Sequence, residues 1–223
     1  MYLQTMPTKD EYSLTDEQVA STLSPFRVEL ATDQIAKVRE YVRLLLKWNQ
    51  SISLTSVVDP AEIVARHFGE SMFANGLIAV ENCRLADLGS GAGFPGLALK
   101  IACPSLNVVL IESNKKKCAF LSEVVRSLEL ENVEVLPVRF DETPVSKGYA
   151  EIVTARAVGG FSDILHWAET ALAHRGHMIL WLGGEDSPKV SSTPGWIWQP
   201  AVKIPESQRR FLLIGHRKPN ESL

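Results

Sequence analysis

The chain has 223 residues, 45% of them hydrophobic and 22% charged, with a net charge of −3. That is an ordinary globular composition with enough chain to bury a core unaided, and it excludes a protein that coats nucleic acid by bulk charge while allowing a local basic face. Three widely spaced cysteines, Cys83, Cys103 and Cys118, suggest neither a disulfide framework nor a zinc site. The N-terminal MYLQTMPTKDEY shows no signal pattern, and no apolar run is long enough to cross a bilayer, so a cytoplasmic protein without membrane or metal is expected.

Thr15-Asp-Glu-Gln18 has the spacing of a capping box and predicts a short helix. Thr32 is expected to cap a longer one, whose residues Ile35, Val38, Val42, Leu45 and Leu46 form one apolar stripe. After a break at 49–56, Asp59-Pro60-Ala61-Glu62 predicts a third helix start, carrying Ile63, Val64, Phe68 and Met72. Residues 1–80 therefore read as a helical extension packed on a second unit, 81–223. In that unit CRLADL, NVVLIE, VEVLPV, EIVTAR and HMILWL are short β-rich runs, separated by helical segments at 95–102, 114–130 and 160–174. Alternation of this kind predicts an α/β fold, with a mostly parallel sheet covered on both faces. WIWQPAVKI and RFLLIGHRK predict a closing antiparallel pair, giving seven strands. Gly183–Gly195 reads as a linker.

The first strand runs into LADLGSGAGFPG at 85–96, where glycines allow a tight turn and let a ligand approach bare backbone. Gly91-x-Gly93-x-x-Gly96 has the spacing of a dinucleotide fingerprint. Asp87 closes the first strand, poised for a cationic or polar ligand group. Glu112 closes the second, about 20 residues on, where an acid grips both hydroxyls of a ribose. Together they predict a nucleoside cradle at the carboxyl ends of the strands. A pyrophosphate disfavours a carboxylate beside the loop, whereas an ammonium welcomes one, so the acids favour S-adenosylmethionine over NAD.

KWNQSISLTSV at 47–57, RHFGES at 66–71, DLGSGAGFPG at 87–96, IESNKKKCAFL at 111–121 and TARA at 154–157 follow in order. In these segments the chain resembles the RsmG (glucose-inhibited division protein B) family. The resemblance implies a class I, Rossmann-like S-adenosylmethionine-dependent methyltransferase acting on N7 of a guanine in the 530 loop of bacterial 16S ribosomal RNA. It implies that Gly89 and Phe94 line the donor pocket, Glu112 holds the ribose, Phe140 and Asp141 flank the adenine and Arg156 faces the reaction site. With Asp87, Gly91 and Gly93 these are the expected cofactor-binding residues, and Arg156 is the expected catalytic one. The chain departs from the family pattern at Ser53, at Glu70 where an Asp is usual, at Tyr149-Ala150, and at Leu182 where a Lys is usual.

Phosphates need cations. Lys115, Lys116 and Lys117 open the second α/β helix, Arg209, Arg210, Arg217 and Lys218 gather near the C-terminus, and Arg39, Arg43 and Lys47 share one helix face. Lys115–Lys117, Arg209 and Arg210 are taken as RNA contacts. The expected partner is 16S ribosomal RNA within a 30S particle, bound by a monomer. Two alternatives stay open: a non-catalytic RNA-binding or ribosome-assembly protein, and an NAD-dependent oxidoreductase.

Overall fold

The computed structural model describes residues 14–143, 145–156 and 160–219. The N-terminal stretch and Ala157, the last residue of TARA, lie outside them. The helical first part holds α1 (Asp16–Leu23), α2 (Thr32–Asn49), α3 (Pro60–Ile63) and α4 (Glu70–Met72). Thr15 and Gln18 form the capping box. Thr32 is the first helical residue of α2 rather than its cap. Ala31 stands in the cap position, and the Gln34 side chain takes its N–H at 2.8 Å. Between α3 and α4 the helix widens into π-helical turns over Val64–Gly69.

The second part alternates β1 (Arg84–Leu88), α5 (Gly96–Ala102), β2 (Asn107–Ile111), α6 (Lys115–Ser127), β3 (Val133–Leu136), β4 (Ala150–Arg156), α7 (Phe161–Ala171) and β5 (Leu172–Gly183). Then come α8 (Ser187–Ser191), β6 (Trp196–Trp198), β7 (Val202–Lys203) and β8 (Arg210–Arg217). The sheet order is β3-β2-β1-β4-β5-β8-β6, with β7 also paired to β8. β1 to β5 are mutually parallel, and β8 runs antiparallel to β5, β6 and β7. β1 and β2 are buried in all but their first residue, which is why they read as continuous apolar runs.

Two expectations are corrected here. WIWQPAVKI is two short strands, because Pro200 lacks the N–H that a continuous ladder would need, so the sheet has eight strands rather than seven. Gly183–Gly195 is not a bare linker, since it contains α8, where Ser187 and Val190 are buried.

One apolar cluster lies on each face of the sheet. The first joins α1–α4 to α5, α6 and the facing strand residues without interruption, and the second lies under α7 and α8. Gln34 strengthens the first junction by donating to the carbonyls of Ile101 (2.7 Å) and Ala102 (3.2 Å), which end α5 unpaired within that helix. Among the described residues, no helix is long and apolar enough to cross a membrane, and no group of acids, histidines and cysteines could hold a metal.

Candidate functional site

The strand order reverses between β1 and β4, and in open α/β sheets ligands bind beyond the carboxyl ends of the strands at such a point. The glycine loop lies there. Gly89, Gly91 and Gly93 have φ of 66°, 56° and 85°, values that L side chains rarely adopt. Their surroundings differ. A Cβ on Gly93 would run into the Tyr41 hydroxyl and the Leu97 side chain, so that glycine is needed for packing. A Cβ on Gly91 would find only the Gly89 carbonyl oxygen, at 3.7 Å, so that backbone stays open to an approaching molecule.

The helical extension holds this loop from behind. Tyr41 of α2 is fully buried and donates to the Ala92 carbonyl at 2.6 Å. Its ring stacks on Phe94 at 5.2 Å, and His67 stacks on Phe94 at 5.0 Å. His67 Nε2 lies 2.8 Å from the Thr55 hydroxyl. Burial, with Arg156, Arg66 and Arg210 nearby, holds the His67 pKa down to about 3, so the ring is neutral at physiological pH.

The two predicted acids take different positions. Glu112 is 7% exposed and lies against the loop backbone. Its Oε2 accepts from Gly91 N–H at 2.9 Å and its Oε1 from Asn114 N–H at 2.7 Å. Asp87 differs from expectation, because its side chain has no exposed surface with which to meet a ligand. Its register partner on β4, Thr154, donates to Oδ1 at 2.7 Å, and Gly96 N–H donates to Oδ2 at 3.2 Å. Asp87 therefore ties β1, β4 and the start of α5 together beneath the loop. Burial, with a further push from Glu112, raises its pKa from 3.8 to about 6, against the pull of the hydrogen bonds from Thr154, Gly96 and Ser90.

Arg156 ends β4 in a buried polar knot. Nη2 donates to Glu70 Oε2 (2.9 Å) and to the Arg66 carbonyl (2.7 Å), and Nη1 donates to the Ser71 hydroxyl (3.1 Å). Arg210, expected at the RNA surface, reaches the other oxygen of the same carboxylate at 2.9 Å. Glu70 is 2% exposed, Arg156 13% and Arg210 33%. Burial lowers the Arg156 pKa to about 10, with Glu70 opposing, so the guanidinium stays charged near neutrality. Burial also lifts the Glu70 carboxyl, with the arginines holding it back. Trp181 of β5 donates to the Glu70 carbonyl at 2.7 Å, so three parts of the chain meet at this residue.

The remaining expected residues scatter more widely. Phe140 is half-buried in a 3-10 turn over Phe140–Glu142, packed against the α7-side cluster, and Asp141 is exposed and paired with Arg139 at 2.8 and 3.0 Å. Lys115 and Lys116 are exposed and Lys117 is half-buried, all in the first turn of α6, and Arg209 is exposed. Arg39 and Arg43 are occupied by Asp16 and Glu40. The four C-terminal cations do not form one cluster: Arg210 lies opposite Gly183 at the crevice end of β8, while Arg217 lies at its far end. Leu182 is buried in the α7-side core, away from the knot. Sequence reasoning missed Tyr41, which the apolar stripe of α2 would have included as core, and Thr154, which only the strand register reveals. It named Glu70 only as a departure.

Comparison with known proteins agrees with this geometry. The fold matches a solved SAM-dependent methyltransferase from Aquifex aeolicus with a TM-score of 0.59 at 15% identity, covering 70% of this chain and 93% of that one. Among curated sequences, ribosomal RNA small subunit methyltransferase G of Xylella fastidiosa (strain 9a5c) is 36% identical, with 86% of this chain and 91% of the relative covered. The protein of that name in Lactococcus lactis subsp. lactis (strain IL1403) is 31% identical, with 92% of each chain covered. The family described as GidB, rRNA small subunit methyltransferase G, matches residues 34–193. This chain, with its glycine loop at the switch point of the sheet, belongs to that family.

Proposed function

We propose that this chain transfers the methyl group of S-adenosylmethionine to N7 of a guanine in the 530 loop of bacterial 16S ribosomal RNA, acting as a cytoplasmic monomer on a 30S particle. Family membership makes it a methyltransferase, not a nicotinamide oxidoreductase or a passive binding protein. The observation that carries the reading is the open backbone at Gly91 with the Glu112 carboxylate fastened to it.

The residues suit the donor. A carboxylate offers about four lone-pair sites, so Glu112 can keep its two backbone donors and still accept from a ribose. Asp87, fully buried beneath the loop, sets the loop's backbone through Thr154 and Gly96 and leaves Glu112 as the acid that meets the donor. Gly89 is assigned to the donor side, Gly93 and Phe94 hold that loop from within, and Phe140 and Asp141, in the turn after β3, are assigned to the adenine. When bound, S-adenosylmethionine supplies an electrophilic methyl with a good leaving group. The chain then has to align the acceptor and exclude water. Guanine N7 has a bare lone pair and no proton to remove, so no general base is needed.

Arg156 is the candidate for orienting the base. Its bonds to Glu70, Ser71 and Arg66 leave the Nε–H and one Nη1–H for O6 or a phosphate. Lys115–Lys117 stand at the positive end of the α6 dipole, where cations are disfavoured unless an anion joins them. That placement supports an RNA phosphate beside the crevice.

The test is transfer of tritiated methyl from S-adenosylmethionine to 30S particles lacking the modification, with the product located by chemical cleavage at 7-methylguanine. Label in the 530 loop is expected. Donor binding without transfer to any small-subunit substrate, or label at another atom, would refute the reading.

A further inference from the structure

Strand β8 carries cations at both ends, and the two ends face different surroundings. Arg210 closes on Glu70 at the crevice. At the opposite end a cavity of about 730 Å³ opens, lined by Lys147, His174, Arg175, His216, Arg217 and Lys218. The other lining residues are uncharged. Among the described residues, four fixed positive charges and two imidazoles thus line one hollow with no carboxylate among them, in a chain whose net charge is −3. A merely solubilising surface intersperses its signs, whereas one sign of charge in a low-dielectric concavity focuses potential on a counter-ion.

The placement of these groups is specific. Arg217 is anchored by donating to the Glu169 carbonyl, while the Glu169 carboxylate faces His166 at 3.8 Å. Lys147, Arg175 and Lys218 are exposed and enter no ion pair among the described residues. Arg175 has a φ of 67°, in the left-handed region that few non-glycine residues occupy, in the exposed early part of β5 where its register with β4 shifts between Leu172 and His177. Among the described residues no aromatic ring but the imidazoles lines the hollow, so it suits a phosphate backbone better than stacked bases. β8 separates the hollow from the crevice by roughly 23 Å, at about 3.3 Å per residue. No single nucleotide spans that distance, but a folded RNA does.

We propose that this hollow binds the phosphodiester backbone of RNA and is a second anchoring point for the substrate, at the end of the sheet opposite methyl transfer. The proposal rests on the reading that the substrate is ribosomal RNA.

The experiment uses the full chain with the double substitution K147E/K218E, at side chains that make no hydrogen bond among the described residues, and the control K37E/K189E, which changes net charge equally at residues that do not line the hollow. Circular dichroism and thermal melting verify folding. Affinity for a 16S fragment containing the 530 loop is measured across a salt series, alongside donor affinity and transfer kinetics. K147E/K218E is expected to weaken RNA binding about 10- to 100-fold. It should also make log K against log salt shallower by roughly 1.4–1.8, the share of two phosphate contacts. Donor affinity should hold, with the loss of kcat/KM for RNA carried by KM. Unchanged RNA affinity and salt slope, or an equal loss in the control, would overturn the proposal. Inorganic phosphate, matched with chloride for ionic strength, should not compete with RNA. Selective competition would assign the hollow to a small phosphate ligand and overturn it as well. If the wild type binds RNA through the hollow yet methylates no small-subunit substrate, the proposed function fails and the anchoring site stands.

Discussion

Replacing Glu70 with Gln removes one negative charge and almost no volume from the knot that holds Arg156. The carboxylate is 2% exposed and lies 2.9 Å from both Arg156 and Arg210. Breaking a buried ion pair by removing one partner costs about 3–5 kcal/mol, because the other charge stays desolvated. Arg156, 13% exposed, is trapped in this way, whereas Arg210, at 33%, can turn to water and contributes little. A loss of about 3 kcal/mol is expected for E70Q. With a urea m-value near 3 kcal/mol/M, this lowers the unfolding midpoint by about 1 M. Salt should hardly change the difference, because a buried pair is poorly screened. R210Q alone should cost about 1 kcal/mol or less, and a double-mutant cycle between positions 70 and 156 should show coupling of about 2 kcal/mol. An E70Q protein within about 0.5 kcal/mol of wild type, or a loss that disappears in concentrated salt, would show that Glu70 does not hold Arg156 by charge.

Two further substitutions probe the loop. Asp87 releases its proton at about 6 in the folded chain and at an ordinary carboxylate pKa when unfolded, so between these values the native state holds the extra proton. Its contribution to stability is therefore greatest in acid and declines as pH rises from about 4 to 6, by about 3 kcal/mol at roughly 1.4 kcal/mol per pH unit. Urea melts of D87N should lack this decline, and pH profiles parallel to the wild type would refute the assignment. Y41F leaves the Ala92 carbonyl without its buried donor, at a cost of about 1–2 kcal/mol. Calorimetry with S-adenosylhomocysteine should then show weaker binding by severalfold, and unchanged affinity and stability would separate Tyr41 from the loop.

Local features of the fold were legible because they depend on local chemistry. The capping box at Thr15, the continuous apolar runs of β1 and β2 and the glycines at positive φ all follow from residue type and spacing. Non-local features were not. The burial of Asp87 depends on its register partner Thr154, 67 residues away, and nothing near Asp87 in sequence announces it. Arg210 read as a surface cation because the carboxylate it meets, Glu70, belongs to another part of the chain. Arg217 looked like a neighbour of Arg210 because proximity in sequence conceals the length of an extended strand.

The bond from Gln34 to the last carbonyls of α5 and the bond from Tyr41 to the loop both reach forward across more than fifty residues. During synthesis the helical segment emerges first, with its apolar stripe uncovered, and waits for its partners. Closing such long loops is entropically unfavourable until the sheet arrives to reward it. A nascent chain halted before α5 would therefore expose that stripe to chaperones and carry no grip for the donor. Competence to bind the donor arises only when the two parts close on each other.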